Sequence, residues 1–185
     1  MNLKTQITKL AALLATAAEI QARLGELKTS LASLARRRDE VIEKAAGPDD
    51  RKALDELAVL AAQEQLAAHQ LKIAERERDG LQARLLAESV NARDAATTAL
   101  RNHRAAARKQ LENALAASFP DAGERAKAID SLRPIPPVLF ATQRASSALH
   151  GVHFTPTGGS GYTTETGFAE AILGAAQRAV DLIEA

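Results

Sequence analysis

Lys44-Ala45-Ala46-Gly47-Pro48-Asp49-Asp50 is the stretch whose reading decides how this chain folds. Upstream, Leu3 to Ala46 holds no proline and one glycine, Gly25; downstream, Asp49 to Ser118 holds no proline and one glycine, Gly80. Gly47 suits the left-handed residue that follows a helix C-terminus. Pro48 cannot continue that helix but fits the opening of the next, and Asp49 and Asp50 complement a helix N-terminus. A connection this short sends the chain back along itself. The fold class read here is all-α: a long antiparallel two-helix coiled-coil hairpin with a small C-terminal helical lobe.

The periodicity on each side supports that reading. Leu3, Ile7, Leu10, Leu14, Ala17, Ile20, Leu24, Leu27, Leu31, Leu34, Arg38 and Val41 follow alternating steps of four and three. One slip, between Ala17 and Ile20, is a stammer in the heptad pattern. Arg38 in this stripe is read as snorkelling at the seam edge. Folding about the turn sets Leu57 opposite Val41, Leu71 near Leu27 and Leu85 near Ala12. The second helix runs to about Ser118, some ~100 Å at ~1.5 Å per residue, against ~66 Å for the first. Beyond about Arg93 it needs another partner for Ala96, Leu100, Ala107, Leu111, Ala114 and Leu115.

That partner is expected to be the last helix, whose stripe is Phe168, Ile172, Ala176, Val180 and Ile183. Between the two lie a short helix over Glu124–Leu132, an extended segment Arg133-Pro-Ile-Pro-Pro137 and a second short helix over Val138–Leu149. A loop over Val152–Thr166 follows, with Gly158-Gly-Ser-Gly161 and two brief strands around Phe154 and Tyr162. Two regions are drawn: residues 1–95 as the hairpin with its turn at 47–49, and residues 96–185 as the end of the second helix plus the lobe. Composition changes in the same place. All five aromatics, five of the six prolines and seven of the ten glycines follow residue 118.

Composition also limits function. The net charge is +1, which gives no global steering toward nucleic acid or an anionic surface. The chain has no cysteine, so disulfides and thiol chemistry are excluded. No apolar stretch reaches the roughly 18–20 residues of a membrane span. Leu10–Ala18 after Lys4 and Lys9 has the look of a short signal peptide, but its apolar residues already follow the downstream heptads. The address expected is cytoplasmic, or within an assembly formed there.

No stretch forms a catalytic or cofactor motif. His150 and His153 lie an i, i+3 step apart, but no third ligand is near in sequence, so neither a metal nor another cofactor is expected. Gly158-Gly-Ser-Gly161 precedes a helix yet lacks the Lys-Ser/Thr of a phosphate loop and the preceding strand of a dinucleotide fingerprint. Ser146 and Ser147 near His150 have no acidic orienter, and the chain is not expected to be an enzyme. Arg36-Arg-Arg38 is followed at once by Asp39-Glu40 and reads as a self-compensated patch.

Arg93, Arg101, Arg104, Arg108 and Lys109 make a basic cluster on the second helix, the four arginines within about 80° of arc. The favoured reading pairs Arg104 with a carboxylate such as Glu170 or Asp181 on the last helix. The alternative is an RNA- or DNA-binding module using this stripe, although no aromatic interleaves it for base stacking. The first helix has an apolar arc wider than one neighbour covers, with Leu13 on its flank as a candidate oligomer contact. The expected function is therefore a non-enzymatic structural or assembly protein, self-associating or with protein partners, in a multi-subunit particle such as a phage structure. In outline the hairpin is similar to the arms of seryl-tRNA synthetases and to prefoldin subunits, a likeness of shape that implies no shared function.

Overall fold

The computed structural model describes residues 2–45, 47, 50–119, 121–131, 137–156, 161–162 and 164–185, without the side chains of 129–131. It is all-α, with five helices and no strand among the described residues. α1 spans Leu3–Lys44, α2 Arg51–Ser118, α3 Ala122–Ser131, α4 Pro137–His150 and α5 Glu165–Glu184. The two long helices pack closely. Of the hairpin turn, Pro48 and Asp49 lie outside the described residues, as do residues 132–136 of the proline segment and 157–160 of the glycine loop.

Helix starts follow local chemistry. Asp50 caps α2, its carboxylate accepting the backbone N–H of Lys52 at 3.2 Å and of Ala53 at 3.3 Å. Asp121 caps α3 the same way, accepting from Gly123 and Glu124 at 2.8 and 3.0 Å. Pro137 sits at the first position of α4, where a missing N–H costs nothing. Thr164, extended at φ −119° and ψ 144°, accepts the N–H of Gly167 and opens α5. Gly47 departs from expectation: its backbone is not left-handed. Its carbonyl instead accepts the Asp50 N–H at 3.2 Å, so the described part of the turn is organised from the α2 side.

Contacts divide the chain into two compact units, Ala15–Ala83 and Met1–Leu14 with Arg84–Ala185. The first is a pure two-helix unit. Its helices run antiparallel, since Arg23 pairs with Glu77 at 3.3 Å and Arg37 with Glu56 at 3.2 Å. Leu24, Leu60, Ala67, Ala74 and Leu81 are buried along the seam. Ile20, Leu27, Leu31, Leu34 and Val41 are only half-buried, because a single neighbour covers one side of each. Arg38 is half-buried, and its guanidinium reaches Glu64 at 3.1 Å and the exposed Asp39 at 3.3 Å, a partly exposed ion pair at a position of the apolar row.

The second unit has a thicker core. Leu3 of α1, Ala96 and Leu100 of α2, Leu149 of α4 and Ala175, Ala176, Ala179 and Val180 of α5 form one buried cluster. Half of these are alanines, so the backbones approach closely and the larger side chains interlock around them. Phe168 and Ile172 are buried at the other end of α5, and the Phe168 ring lies 5.8 Å from that of Phe154. The predicted stripe on α5 is thus on the core side throughout. On α2 the match stops earlier: Ala114 is exposed, and only Ala107, Leu111 and Leu115 continue the half-buried row at steps of four.

Candidate functional site

The expected pairing of Arg104 with Glu170 or Asp181 is not formed. Arg101, Arg104, Arg108 and Lys109 are all exposed, and Asp181 accepts a hydrogen bond from Gln177 at 3.1 Å instead. Arg108 is held by Glu112 one turn on, at 2.9 Å, and half-buried Arg93 lies 3.7 Å from Asp94. Arg101, Arg104 and Lys109 have no ion-pair partner among the described residues. The reason is the drift of the buried row. It passes through His103, Ala107, Leu111 and Leu115, leaving the cations on its outer flank.

The other sequence candidates are dispersed. The His150 ring nitrogen Nδ1 lies 2.7 Å from the carbonyl oxygen of Ser146, one helical turn back. Both His150 and His153 are exposed, and no group of three His, Asp or Glu side chains is gathered among the described residues. The loop after α4 closes through an isolated bridge between Phe154 and Tyr162. Its hydrogen bonds run from Tyr162 N–H to the His153 carbonyl at 2.8 Å and from Thr155 N–H to the Tyr162 carbonyl at 2.9 Å. Gly161 sits where a Cβ would come within 2.6 Å of the Thr155 hydroxyl and 2.7 Å of the His153 carbonyl oxygen. The described end of the glycine loop is therefore a packing position.

What stands out is apolar surface. Val59, Leu66 and Ile73 on α2 are 57%, 59% and 37% exposed, at intervals of seven residues. Val138 and Phe140 on α4 are also about half exposed, with the Arg144 guanidinium over the Phe140 ring at 5.9 Å. Leu13, the candidate oligomer contact, is half-buried. The sequence reading passed over Val59, Leu66 and Ile73 because it followed one stripe per helix. Their own seven-residue spacing was the signal that a second stripe exists.

Polar burial was also missed. Gln6, Ser89 and Thr142 are buried, Ser89 donating to the Leu85 carbonyl at 2.6 Å and Thr142 to those of Val138 and Leu139 at 3.0 Å. The Gln6 side-chain oxygen is buried without a hydrogen-bond partner among the described residues. Among the described residues no helix is long and apolar enough to cross a membrane. Comparison with known protein families, with curated proteins and with solved structures found no match.

Proposed function

We propose that this chain is a non-enzymatic structural protein that self-associates through its helical faces, as a component of a multi-subunit particle. The observation that supports it is the heptad-spaced, exposed row of Val59, Leu66 and Ile73. Isolated apolar residues on a surface need no explanation, but three at coiled-coil spacing on one helix face form a seam without a partner. The two-helix unit strengthens the reading, since one neighbour leaves most of its own seam half-buried. The test is sedimentation equilibrium of the full chain at micromolar concentration in the absence of nucleic acid. A dimer or larger species is expected. A species of 19.6 kDa that stays monomeric at the highest soluble concentration removes the proposal.

A second reading has its own observation: the exposed cations Arg101, Arg104 and Lys109, which have no ion pair among the described residues. On this reading the stripe contacts the phosphates of RNA or DNA, and affinity falls steeply with salt. Arg101→Glu with Arg104→Glu then abolishes binding to a labelled oligonucleotide while the sedimentation behaviour stays unchanged. Absence of salt-dependent binding by the unaltered chain removes this second reading.

A further inference from the structure

The outer face of α2 carries Val59, Leu66 and Ile73 about 10.5 Å apart, with exposed Ala62 and His69 three residues after the first two. These alternate three-four steps repeat the pattern of a coiled-coil seam. They lie about 100° around α2 from Leu60, Ala67 and Ala74, on the flank of the seam that the hairpin already buries. The outer face of α1 has the counter-shape. Ala15, Ala18, Ala22, Gly25, Thr29 and Ala32 follow the same steps, and every one is exposed. A Cβ at Gly25 meets nothing within 4 Å, and the Thr29 hydroxyl turns back onto the Gly25 carbonyl at 2.9 Å. A mid-helix glycine weakens a helix, and among the described residues nothing fills the space beside Gly25 or beside Gly80 on α2. An open groove on this face is lined in part by Thr29, Ala32 and Arg36.

We infer that a second copy of this chain covers these faces, α2 of one copy lying antiparallel on α1 of the next; this rests on the self-association proposed above. Shape and charge select the same register. With Leu66 over Gly25, Ile73 falls on Ala18 and Val59 on Ala32, a large side chain over a small residue in each layer. Continuing toward the hairpin tip, the same register places Asp55 against Arg36 and Lys52 against Asp39. Arg36, Lys52 and Asp55 are exposed and have no ion pair among the described residues. A slip of one heptad toward the tip sets Asp55 against Glu43, and a slip the other way sets Lys52 on Ala32. The parallel orientation with Leu66 over Gly25 puts Asp55 at Leu14 and Lys52 at Ala11, without a counter-charge.

The two faces differ, so the contact is heterologous. Each added copy presents a fresh face, and the hairpins line up side by side in one direction, closing into a ring or extending as an array. The test uses full-length protein in sedimentation velocity over a concentration series. Leu66→Glu is expected to abolish association. Arg36→Glu and Asp55→Lys are each expected to weaken it roughly three- to tenfold. An equimolar mixture of those two variants restores it, because every contact between unlike copies again joins opposite charges, native at one junction and reversed at the next. If the unaltered chain associates but these variants change nothing, another surface is used and this inference fails while self-association stands. If the unaltered chain is monomeric at every concentration, both fail together. If the single charge variants weaken association but the mixture does not recover, the antiparallel register is wrong.

Discussion

The two units of this chain are built from the same residues to different effect. Between Ala15 and Ala83 two helices face each other, and of the seam leucines only Leu24, Leu60 and Leu81 are buried. In the unit that contains α4 and α5, segments of four helices share one cluster, and Leu100, Leu149, Ile172 and Ala176 are at or below 2% exposed. A helix with one neighbour hides a narrow strip. A helix with several hides an arc, and alanine then becomes a core residue rather than a spacer. The two-helix unit therefore leans on ion pairs and capping for specificity, and keeps apolar surface uncovered.

Core truncation should show this contrast at its largest. Phe168→Ala removes a side chain 2% exposed and in ring contact with Phe154, and should destabilise its unit by about 3–5 kcal/mol. Hydrogen exchange read by peptide should lose protection in α4 and α5 and keep it in residues 20–80. Uniform loss across the chain would show that the two units unfold as one. Leu60→Ala tests the other side. The site is buried but bordered by half-buried neighbours that can collapse into the space, so about 2–3 kcal/mol is expected, at the low end for leucine. A denaturation midpoint shifted as far as that of Phe168→Ala would overturn the claimed difference in packing.

Smaller effects sharpen the same contrast. Gly161→Ala forces a Cβ against backbone and hydroxyl atoms closer than 3 Å, and should cost roughly 1–3 kcal/mol within the lobe. Thermal melting of an unchanged protein would mean that the Phe154–Tyr162 bridge shifts freely. The smallest effect belongs to the seam ion pair. Arg38 and Glu64 are partly exposed, with side chains 42% and 22% accessible, so a double-mutant cycle with Arg38→Met and Glu64→Gln should give a coupling of about 0.2–1 kcal/mol. A coupling near zero would assign the register of the hairpin to packing alone.

Much of the architecture was legible in the residues themselves. Asp50 marks the start of α2 through hydrogen bonds to its own next turn, and α2 ends at Ser118, two residues before Pro120. The caps Asp121 and Thr164 start α3 at Ala122 and α5 at Glu165, ahead of the expected Glu124 and of a loop expected to run to Thr166. The α5 stripe was readable for the same reason, since Phe168, Ile172, Ala176 and Val180 repeat within one helix. Spacing along a helix is local, so it survives without knowledge of the partner. Gly47 was misjudged because the conformation after a helix depends on where the returning chain must go.

What only the tertiary structure decided is which side of each helix meets what. On α2 two stripes have coiled-coil spacing, and the chain buries Leu60, Ala67 and Ala74 while leaving Val59, Leu66 and Ile73 outside. Periodicity names both faces and cannot rank them, because burial depends on the helix opposite. The same holds for charges. Arg38 finds Glu64 across the hairpin, whereas Arg104 finds neither Glu170 nor Asp181, a difference set by helix rotation rather than by composition. Gln6 and Ser89 are buried despite their polarity because they stand at positions the packed helices close over. Local chemistry thus set the helices and their ends, and the rotation of each helix about its axis, fixed only by packing, set the surface available to a partner.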